Sequence, residues 1–173
     1  MPRKIRYQVA CSLDGYIATP SGGYDWIIMD PDINFGALFA QFDTLLMGRA
    51  TYEVISKSGE QYPGMKVFVF SRTLRQEDHP GVTIVSDRIG ETIDELRAQP
   101  GKDIWLYGGG QLFHSLMDLG YVDTIEPAIV PVVIGDGIPM FPRADMRHSL
   151  ELMNYRLYEK TGIILLEYAV KKS

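Results

Sequence analysis

Over the first two-thirds of the chain, short apolar segments with strand patterns alternate with single helical patterns, and this alternation restricts the fold more than any other feature. The strand patterns cover residues 5–13, 44–47, 66–70, 82–85 and 104–107. The helical patterns cover residues 35–42, 49–56, 89–96 and 111–117. Parallel neighbouring strands need crossovers of about a dozen residues or more, and these helices supply them. The pattern therefore predicts a mainly parallel sheet flanked by helices.

The last third of the chain has strand patterns only. They cover residues 123–133, 150–158 and 163–170, and a Gly-Asp-Gly turn at 135–137 follows the first of them. Strands joined without an intervening helix favour antiparallel pairing. Because no repeat, linker or low-complexity tract interrupts the chain, we expect residues 1–173 to form a single domain with an antiparallel C-terminal part.

Composition argues against several partners and ligands. The 17 Lys and Arg residues are spread thinly in a chain of net charge -5, so no basic run can neutralise several phosphates of a nucleic acid. No apolar run reaches the roughly 18 residues of a membrane span. The lone Cys11 excludes an internal disulfide and fits a reducing cytoplasm. His79, His114 and His148 lack metal-ligand spacing, and we expect no metal site.

The C-terminal strand pattern is more apolar than a half-buried strand requires. Residues 163–166 read Ile-Ile-Leu-Leu. An antiparallel strand with one solvated face alternates apolar and polar residues instead. We therefore expect a homodimer that uses this edge or face of the sheet.

A glycine and an arginine mark the end of the second predicted strand, in the run Gly48, Arg49, Ala50 and Thr51. In open α/β sheets, ligands bind beyond the carboxyl ends of parallel strands, where helix N-termini present free N–H groups. Glycine lets the backbone approach an anion, and arginine and hydroxyl groups can bind it. The segment fits a pyrophosphate site and, equally, a plain strand end with a solvated Arg49.

Three consecutive glycines, Gly108, Gly109 and Gly110, end the fifth predicted strand and open a helix that begins with Gln111 and Leu112. Three glycines cost conformational entropy on folding. Their best explanation is a ligand that lies against bare backbone, as a pyrophosphate does at a glycine-rich turn, and a tight turn is the alternative. The spacing is not the G-x-G-x-x-G pattern of a Rossmann fold.

Ser71, Arg72 and Thr73 follow the strand at residues 66–70. Two hydroxyl groups around a guanidinium suit a monophosphate. An arginine here favours the 2′-phosphate of NADPH over the bare hydroxyl of NADH, and an ordinary surface arginine is the alternative.

Four motifs resemble, in order and spacing, those of the dihydrofolate reductase and riboflavin-reductase superfamily. They are Ser-Leu-Asp-Gly-Tyr-Ile-Ala at 12–18, Met-Gly-Arg-Ala-Thr-Tyr-Glu at 47–53, Tyr-Gly-Gly-Gly-Gln at 107–111 and Pro-Val-Val-Ile-Gly-Asp-Gly at 131–137. The chain is most similar in pattern to stand-alone relatives of the riboflavin-biosynthesis reductase domain, the RibD C-terminal domain. The resemblance implies a dihydrofolate-reductase-like three-layer α/β/α fold.

The resemblance also implies an NADPH that lies across the sheet. The runs 48–51 and 108–112 would hold the two sides of its pyrophosphate, with Ser71 and Arg72 near the adenosine phosphate. Ala10, Ile17 and Ala18 match positions that flank the nicotinamide and its ribose in the family.

The implied reaction is reduction of a small heterocycle, as in the pyrimidine reductases of riboflavin synthesis. The substrate would occupy the cleft between the first loop, which contains Trp26, and the helix that contains Phe35. Riboflavin reductases usually carry a lysine where this chain has Gln8, so a pterin or dihydrofolate reductase is a second reading. A hypothesis from a non-enzymatic class of function is that the protein binds NADPH without turnover and acts as a sensor or assembly module.

Two acidic residues are candidates for the catalytic acid. Counting back from Gly48, Asp32 falls where folate reductases carry the acid that binds the pterin ring. Asp14 lies in the Ser-Leu-Asp-Gly motif. Each also has a purely structural interpretation, Asp32 as a helix-capping carboxylate and Asp14 as part of an Asp-Gly turn.

Overall fold

An eight-stranded mixed sheet forms the centre of the molecule, and its strands follow the spatial order β5-β4-β3-β6-β1-β7-β10-β9. The structure, a computed structural model, describes residues 1–142 and 147–172. The eight strands are β1 (Ile5–Ser12), β3 (Phe42–Gly48), β4 (Lys66–Phe70), β5 (Thr83–Val85), β6 (Asp103–Gly108), β7 (Thr124–Val130), β9 (Leu150–Tyr158) and β10 (Ile163–Val170). A separate pair consists of β2 (Tyr16–Ala18) and β8 (Ile138–Pro139).

The sheet is parallel from β5 to β7 and antiparallel from β7 to β9. This confirms the mixed, mainly parallel sheet with an antiparallel C-terminal part. In the parallel region β1 lies between β6 and β7, with Tyr7 opposite both Leu106 and Ile125. The carboxyl ends of these strands therefore meet at one edge, where ligands bind in sheets of this kind.

Helices cover both faces of the sheet and give it three layers. They are α1 (Phe35–Phe39), α2 (Arg49–Ser58), α3 (Ile89–Ala98) and α4 (Gly110–Asp118), and a short 3-10 helix spans Gln76–Asp78. α3 and α4 pack on one face through buried residues such as Ile93 and Leu116. α1 and α2 pack on the other through Phe39 and Ile55, against Trp105. Among residues 1–142 and 147–172, no helix is both long enough and apolar enough to cross a membrane.

The small β2–β8 pair joins the first motif of the sequence to the last. Ala18 lies opposite Ile138, and the N–H of Met140 donates to the carbonyl of Gly15 at 2.9 Å. A Cβ atom on Gly137 would collide with the backbone oxygen of Ala18. Gly137 is therefore a glycine because the two strands approach closely at this point.

The exposed edge of the sheet at its C-terminal side belongs to β9, since β10 lies between β7 and β9. On one face of these two strands, apolar side chains pair with one another, and no helix of the described residues covers them. The pairs are Leu157 with Ile164, Tyr155 with Leu166, Leu152 with Tyr168 and Leu150 with Val170. Leu152, Tyr155 and Leu157 are half or more exposed, at 50%, 69% and 53%.

Candidate functional site

A long cleft of about 1630 Å³ begins at the carboxyl ends of β3, β4 and β6 and extends over β1, β7 and β10. Most of the predicted site residues line it: Ala10, Ile17, Ala18, Phe35, Gly48, Arg49, Ala50, Thr51, Ser71, Arg72, Gly108, Gly109, Gly110, Gln111 and Leu112. Residues far apart in the sequence thus form one continuous wall. Its size is ample for an elongated ligand.

The first part of this wall is the N-terminus of α2. Gly48 is the residue before the helix, and Arg49 begins it. The Arg49 side chain is 54% exposed, and its Nε lies 3.9 Å from a carboxylate oxygen of Glu53. The guanidinium is therefore loosely held and accessible to an anion at the helix N-terminus.

The second part is the glycine run at the end of β6. Gly108 has φ of 144°, which an L-residue with a side chain rarely adopts, and its peptide bond to Gly109 is cis. A Cβ on Gly109 would lie 3.4 Å from Thr51 Oγ1, whereas one on Gly110 would lie 3.0 Å from the carbonyl oxygen of Pro139. Backbone conformation and close packing therefore explain Gly108 and Gly110 without a ligand. Gly109 faces Thr51, across the space between α2 and α4.

Three helix N-termini open toward this end of the cleft without side-chain caps. In the described part of the chain, no side chain caps the N-terminus of α2, α3 or α4. By contrast, the Oδ1 of Asn34 accepts a hydrogen bond of 2.9 Å from Ala37 N and caps α1. Free N–H groups at converging helix N-termini form a setting for a polyanion.

Ser71, Arg72 and Thr73 have different positions. The buried Ser71 hydroxyl accepts hydrogen bonds from the N–H groups of Thr73 and Leu74 at 3.2 and 3.1 Å, so it organises its own turn. Arg72 is exposed and lines the cleft. Thr73 lies outside the cleft wall, and its hydroxyl is 3.3 Å from that of Ser71.

Trp26 also lies outside the cleft wall, whereas Phe35 lines it. The indole of Trp26 packs with Ile33 against the buried cluster of Val130, Tyr158 and Ile163. Trp26 thus attaches the first loop to this cluster and does not face the cleft. The loop's neighbouring residues line the cleft instead: Tyr24, Asp25, Ile27, Ile28 and Met29.

Neither predicted catalytic carboxylate lines the cleft. The Asp14 carboxylate accepts hydrogen bonds from Ile134 N and Gly135 N at 3.2 and 2.8 Å. The exposed Asp32 carboxylate accepts one from Lys160 Nζ at 2.8 Å. A hydrogen bond from the Ser12 hydroxyl, with the two backbone N–H groups, lowers the pKa of Asp14 below its ordinary value.

A buried polar group that the sequence analysis did not select lies on the floor of the cleft. Glu126 of β7 is 2% exposed, and its two oxygens accept hydrogen bonds of 2.7 and 2.8 Å from Nε and Nη2 of Arg6. The Thr124 hydroxyl and Gln8 Nε2 donate to the same carboxylate at 2.6 and 3.1 Å. Four donors therefore satisfy Glu126.

Gln8 has a free acceptor in this group. It lies opposite Glu126 in the β1–β7 register, and it lines the cleft. Among the residues that the structure describes, no donor reaches its buried Oε1 atom. Leaving a buried acceptor unpaired costs free energy. The Oε1 atom is thus available to an N–H or O–H group of a ligand.

A second polar cluster lies where the glycine run of β6 meets the floor of the cleft. The Tyr62 hydroxyl donates to the Tyr107 oxygen at 2.6 Å. The same hydroxyl can donate instead to Glu60 Oε2 at 2.9 Å, and Glu60 Oε1 accepts from Tyr24 at 3.4 Å. The cluster joins the first loop, the loop after α2 and the end of β6. The only sequence signal for it was the position of Tyr107, directly before the triple glycine.

Comparison with known proteins identifies relatives of nearly full length. A profile of the RibD C-terminal domain matches residues 3–164. The chain is 36% identical to the uncharacterised protein YyaP of Bacillus subtilis (strain 168), over 96% of this chain and 94% of that one. It is 31% identical to a second uncharacterised protein of that organism, YwjB, over 88% and 90% of the two chains.

Solved structures have the same fold. A Shewanella sp. PV-4 protein attributed to riboflavin biosynthesis matches with a TM-score of 0.83 at 25% identity, over 99% of this chain and 100% of that one. Dihydrofolate reductase from Enterococcus faecalis, complexed with NADP(H), matches with a TM-score of 0.67 at 16% identity, over 98% and 97% of the chains. The fold is therefore dihydrofolate-reductase-like, and the chain belongs to the RibD C-terminal domain family.

Proposed function

We propose that the protein is an NADPH-dependent reductase of a small heterocyclic substrate. The observation that carries the proposal is the convergence of Arg49, Arg72 and three uncapped helix N-termini on one end of a single cleft. Cations and free N–H groups at the carboxyl edge of a parallel sheet suit a phosphorylated dinucleotide. Family membership supports a reductase, and the NADP(H)-bound dihydrofolate reductase with this fold supports the choice of cofactor.

The residues present fit such a cofactor. Arg49, Ala50 and Thr51 would hold one side of its pyrophosphate, and the backbone from Gly108 to Leu112 would hold the other. Arg72, exposed beside the Ser71 turn, would pair with the 2′-phosphate and select NADPH over NADH. Ala10, Ile17 and Ala18 would flank the nicotinamide, whose chemical contribution is a hydride.

The other half of the cleft would bind the substrate. Its wall combines apolar residues of the first loop and Phe35, whereas its floor offers Gln8 Oε1 as an unpaired acceptor. A flat apolar ring that carries an N–H group meets both requirements. Pyrimidines of the riboflavin pathway and pterins both have this character, so we keep a pterin or dihydrofolate reductase as the second candidate.

Cofactor oxidation on a substrate panel tests this proposal. The protein is mixed with NADPH and, in turn, dihydrofolate, dihydrobiopterin, the phosphoribosylamino-uracil in the name of a Thermotoga maritima reductase of similar fold, and flavin mononucleotide. We expect loss of nicotinamide absorbance with one of the pyrimidines or pterins. Saturable NADPH binding with no turnover on the whole panel favours the sensor or assembly module.

We also propose that the protein is a cytoplasmic homodimer formed through the exposed β9 edge. If β9 pairs antiparallel with β9 of a second copy, centred between Met153 and Asn154, then Glu151 faces Arg156 and Leu152 faces Tyr155. This self-complementarity of charge and apolar side chains suits a two-fold interface, and the exposed apolar face supports it. The buried free thiol of Cys11 fits a reducing compartment.

Light scattering tests the dimer. We expect the wild-type protein at micromolar concentration to have twice the mass of one chain. Tyr155→Lys should give the single-chain mass, whereas Leu119→Lys, at an apolar residue after α4 that is also more than half exposed, should not. A wild-type protein with the single-chain mass would refute the dimer.

A further inference from the structure

Tyr107 occupies the boundary between the two halves of the cleft. It directly precedes Gly108 of the cofactor side. The paired register of β1 and β6 ends with Leu106 opposite Tyr7, and the residues that follow on the two strands, Tyr107 and Gln8, both line the cleft. On the proposed function, the hydride donor and the substrate meet at this boundary.

The contacts of Tyr107 allow proton donation toward the cleft. The Tyr62 hydroxyl lies 2.6 Å from the Tyr107 oxygen and 2.9 Å from Glu60 Oε2, and its one proton can go to either. While Tyr62 donates to Tyr107, the proton of Tyr107 is available to an acceptor in the cleft. The same contact would stabilise a phenolate at Tyr107. The exposed Glu60 carboxylate can accept from the Tyr62 hydroxyl at 2.9 Å and, more weakly, from the Tyr107 hydroxyl at 3.4 Å, so it connects the pair to solvent.

Burial raises the pKa of Tyr107 to about 12, while the hydrogen bond from Tyr62 acts in the opposite direction. The phenol is therefore protonated at neutral pH, as a general acid must be. The buried carboxylate on the floor of the cleft, Glu126, already accepts four hydrogen bonds. Asp14 and Asp32 lie outside the cleft wall.

We propose that Tyr107 is the catalytic acid of the reduction, with Tyr62 and Glu60 as its proton relay. This inference rests on the proposed function. The hydride supplied by NADPH forms a C–H bond at the carbon of a substrate C=N bond, and the electron pair of that double bond moves to nitrogen. Nitrogen then takes the proton as the O–H bond of Tyr107 breaks. Solvent returns a proton to the phenolate through Glu60 and Tyr62, so NADPH and one proton are consumed.

Tyr107→Phe tests the proposal, with Tyr121→Phe as the matched control. Tyr121 is also partly buried, and its hydroxyl donates to Gly90 O at 3.2 Å, outside the cleft. Single-turnover oxidation of NADPH is followed against pH with the panel member that the wild-type protein reduces. We expect Tyr107→Phe to lose about 100-fold or more in rate, and the residual rate to fall about tenfold per pH unit, because solvent must supply the proton. The control should behave as the wild type.

A second readout does not depend on turnover. The protein is labelled with fluorotyrosine and studied by fluorine NMR. The resonance that is absent from the spectrum of Tyr107→Phe is assigned to Tyr107. NADP⁺ and dihydrobiopterin are then added to the wild-type protein. The Tyr107 resonance should shift on binding, and the Tyr121 resonance should not.

The outcomes separate the two proposals. NADPH binding to Tyr107→Phe with an unchanged rate and pH profile overturns the acid role and leaves the reductase intact. NADPH binding without turnover of any panel member by the wild type also overturns the acid role. Absence of NADPH binding to the wild-type protein overturns the proposed function itself.

Discussion

The Asp14 carboxylate holds Gly135 in place, since its Oδ2 atom accepts a hydrogen bond of 2.8 Å from the Gly135 N–H. The bond connects the Ser-Leu-Asp-Gly motif to the Gly-Asp-Gly motif, 121 residues later. The Cβ-free Gly137 packs against Ala18 in the same region. Two of the four sequence motifs are therefore one structural unit, at the end of the cleft formed by Ile17 and Ala18.

Asp14→Ala should loosen this unit. We expect the melting temperature at neutral pH to fall by about 2–4 °C, because two backbone N–H groups lose their acceptor. The pKa of Asp14 is lowered in the folded protein, chiefly by the Ser12 hydroxyl. Its contribution is therefore fully present above the ordinary Asp pKa of about 3.9 and is lost as pH falls through the lowered value. Melting curves against pH, with the exposed Glu159→Ala as control, check both points.

Gly137→Ala should destabilise the protein by about 1–3 kcal/mol, because the new methyl group collides with the Ala18 carbonyl oxygen. Gly81→Ala is the matched control, since no atom lies within 4 Å of the position of its Cβ. Urea unfolding measures the difference. Equal stability of the two variants would contradict the close approach of β2 and β8.

Glu126→Ala should cost about 3–5 kcal/mol of unfolding free energy, because it leaves Arg6 partly buried without its main partner. Glu126→Gln keeps the shape and some of the hydrogen bonds, so it should cost less. Urea unfolding of both variants checks the order. A loss below about 1 kcal/mol for Glu126→Ala would show that Asp103, 3.4 Å from Arg6, suffices as its partner.

Cys11 should be inert in the native protein. Burial raises the pKa of its thiol to about 11, so the reactive thiolate is scarce at neutral pH. Its contribution to stability is full below the ordinary thiol pKa of about 8.5 and is lost as pH rises toward the higher value. A colorimetric thiol reagent should label the protein only after denaturation. Rapid labelling of the native protein would place the thiol at the surface.

Much of the fold follows from the sequence because its elements are long enough to have a period. The strands Lys66–Phe70, Leu150–Tyr158 and Ile163–Val170 have the predicted bounds. The β2 and β8 strands were missed because two or three residues define no period. Their pairing requires a glycine at residue 137, because a side chain there would collide with the carbonyl oxygen of Ala18, which is distant in the sequence.

The candidate site also has a part that local sequence indicates and a part that depends on long-range contacts. The proposed cofactor side consists of contiguous runs at strand ends, so local sequence indicates it. The Tyr62–Tyr107 contact spans 45 residues and Gln8–Glu126 spans 118, so these depend on sheet order and register. Asp14 was selected because it lies in a motif, and Asp32 because of its spacing from Gly48. Their positions depend instead on contacts with residues distant in the sequence, namely Gly135 and Lys160.

Calorimetric titration of NADPH and NADH into the wild-type protein and Arg72→Gln tests the central claim most directly. We predict saturable NADPH binding, NADH binding at least about tenfold weaker, and loss of that difference in Arg72→Gln, because one charge-assisted phosphate contact is worth about 1.5–3 kcal/mol. Absence of saturable heat with NADPH, from protein that unfolds cooperatively, would contradict the assignment of this cleft to the cofactor.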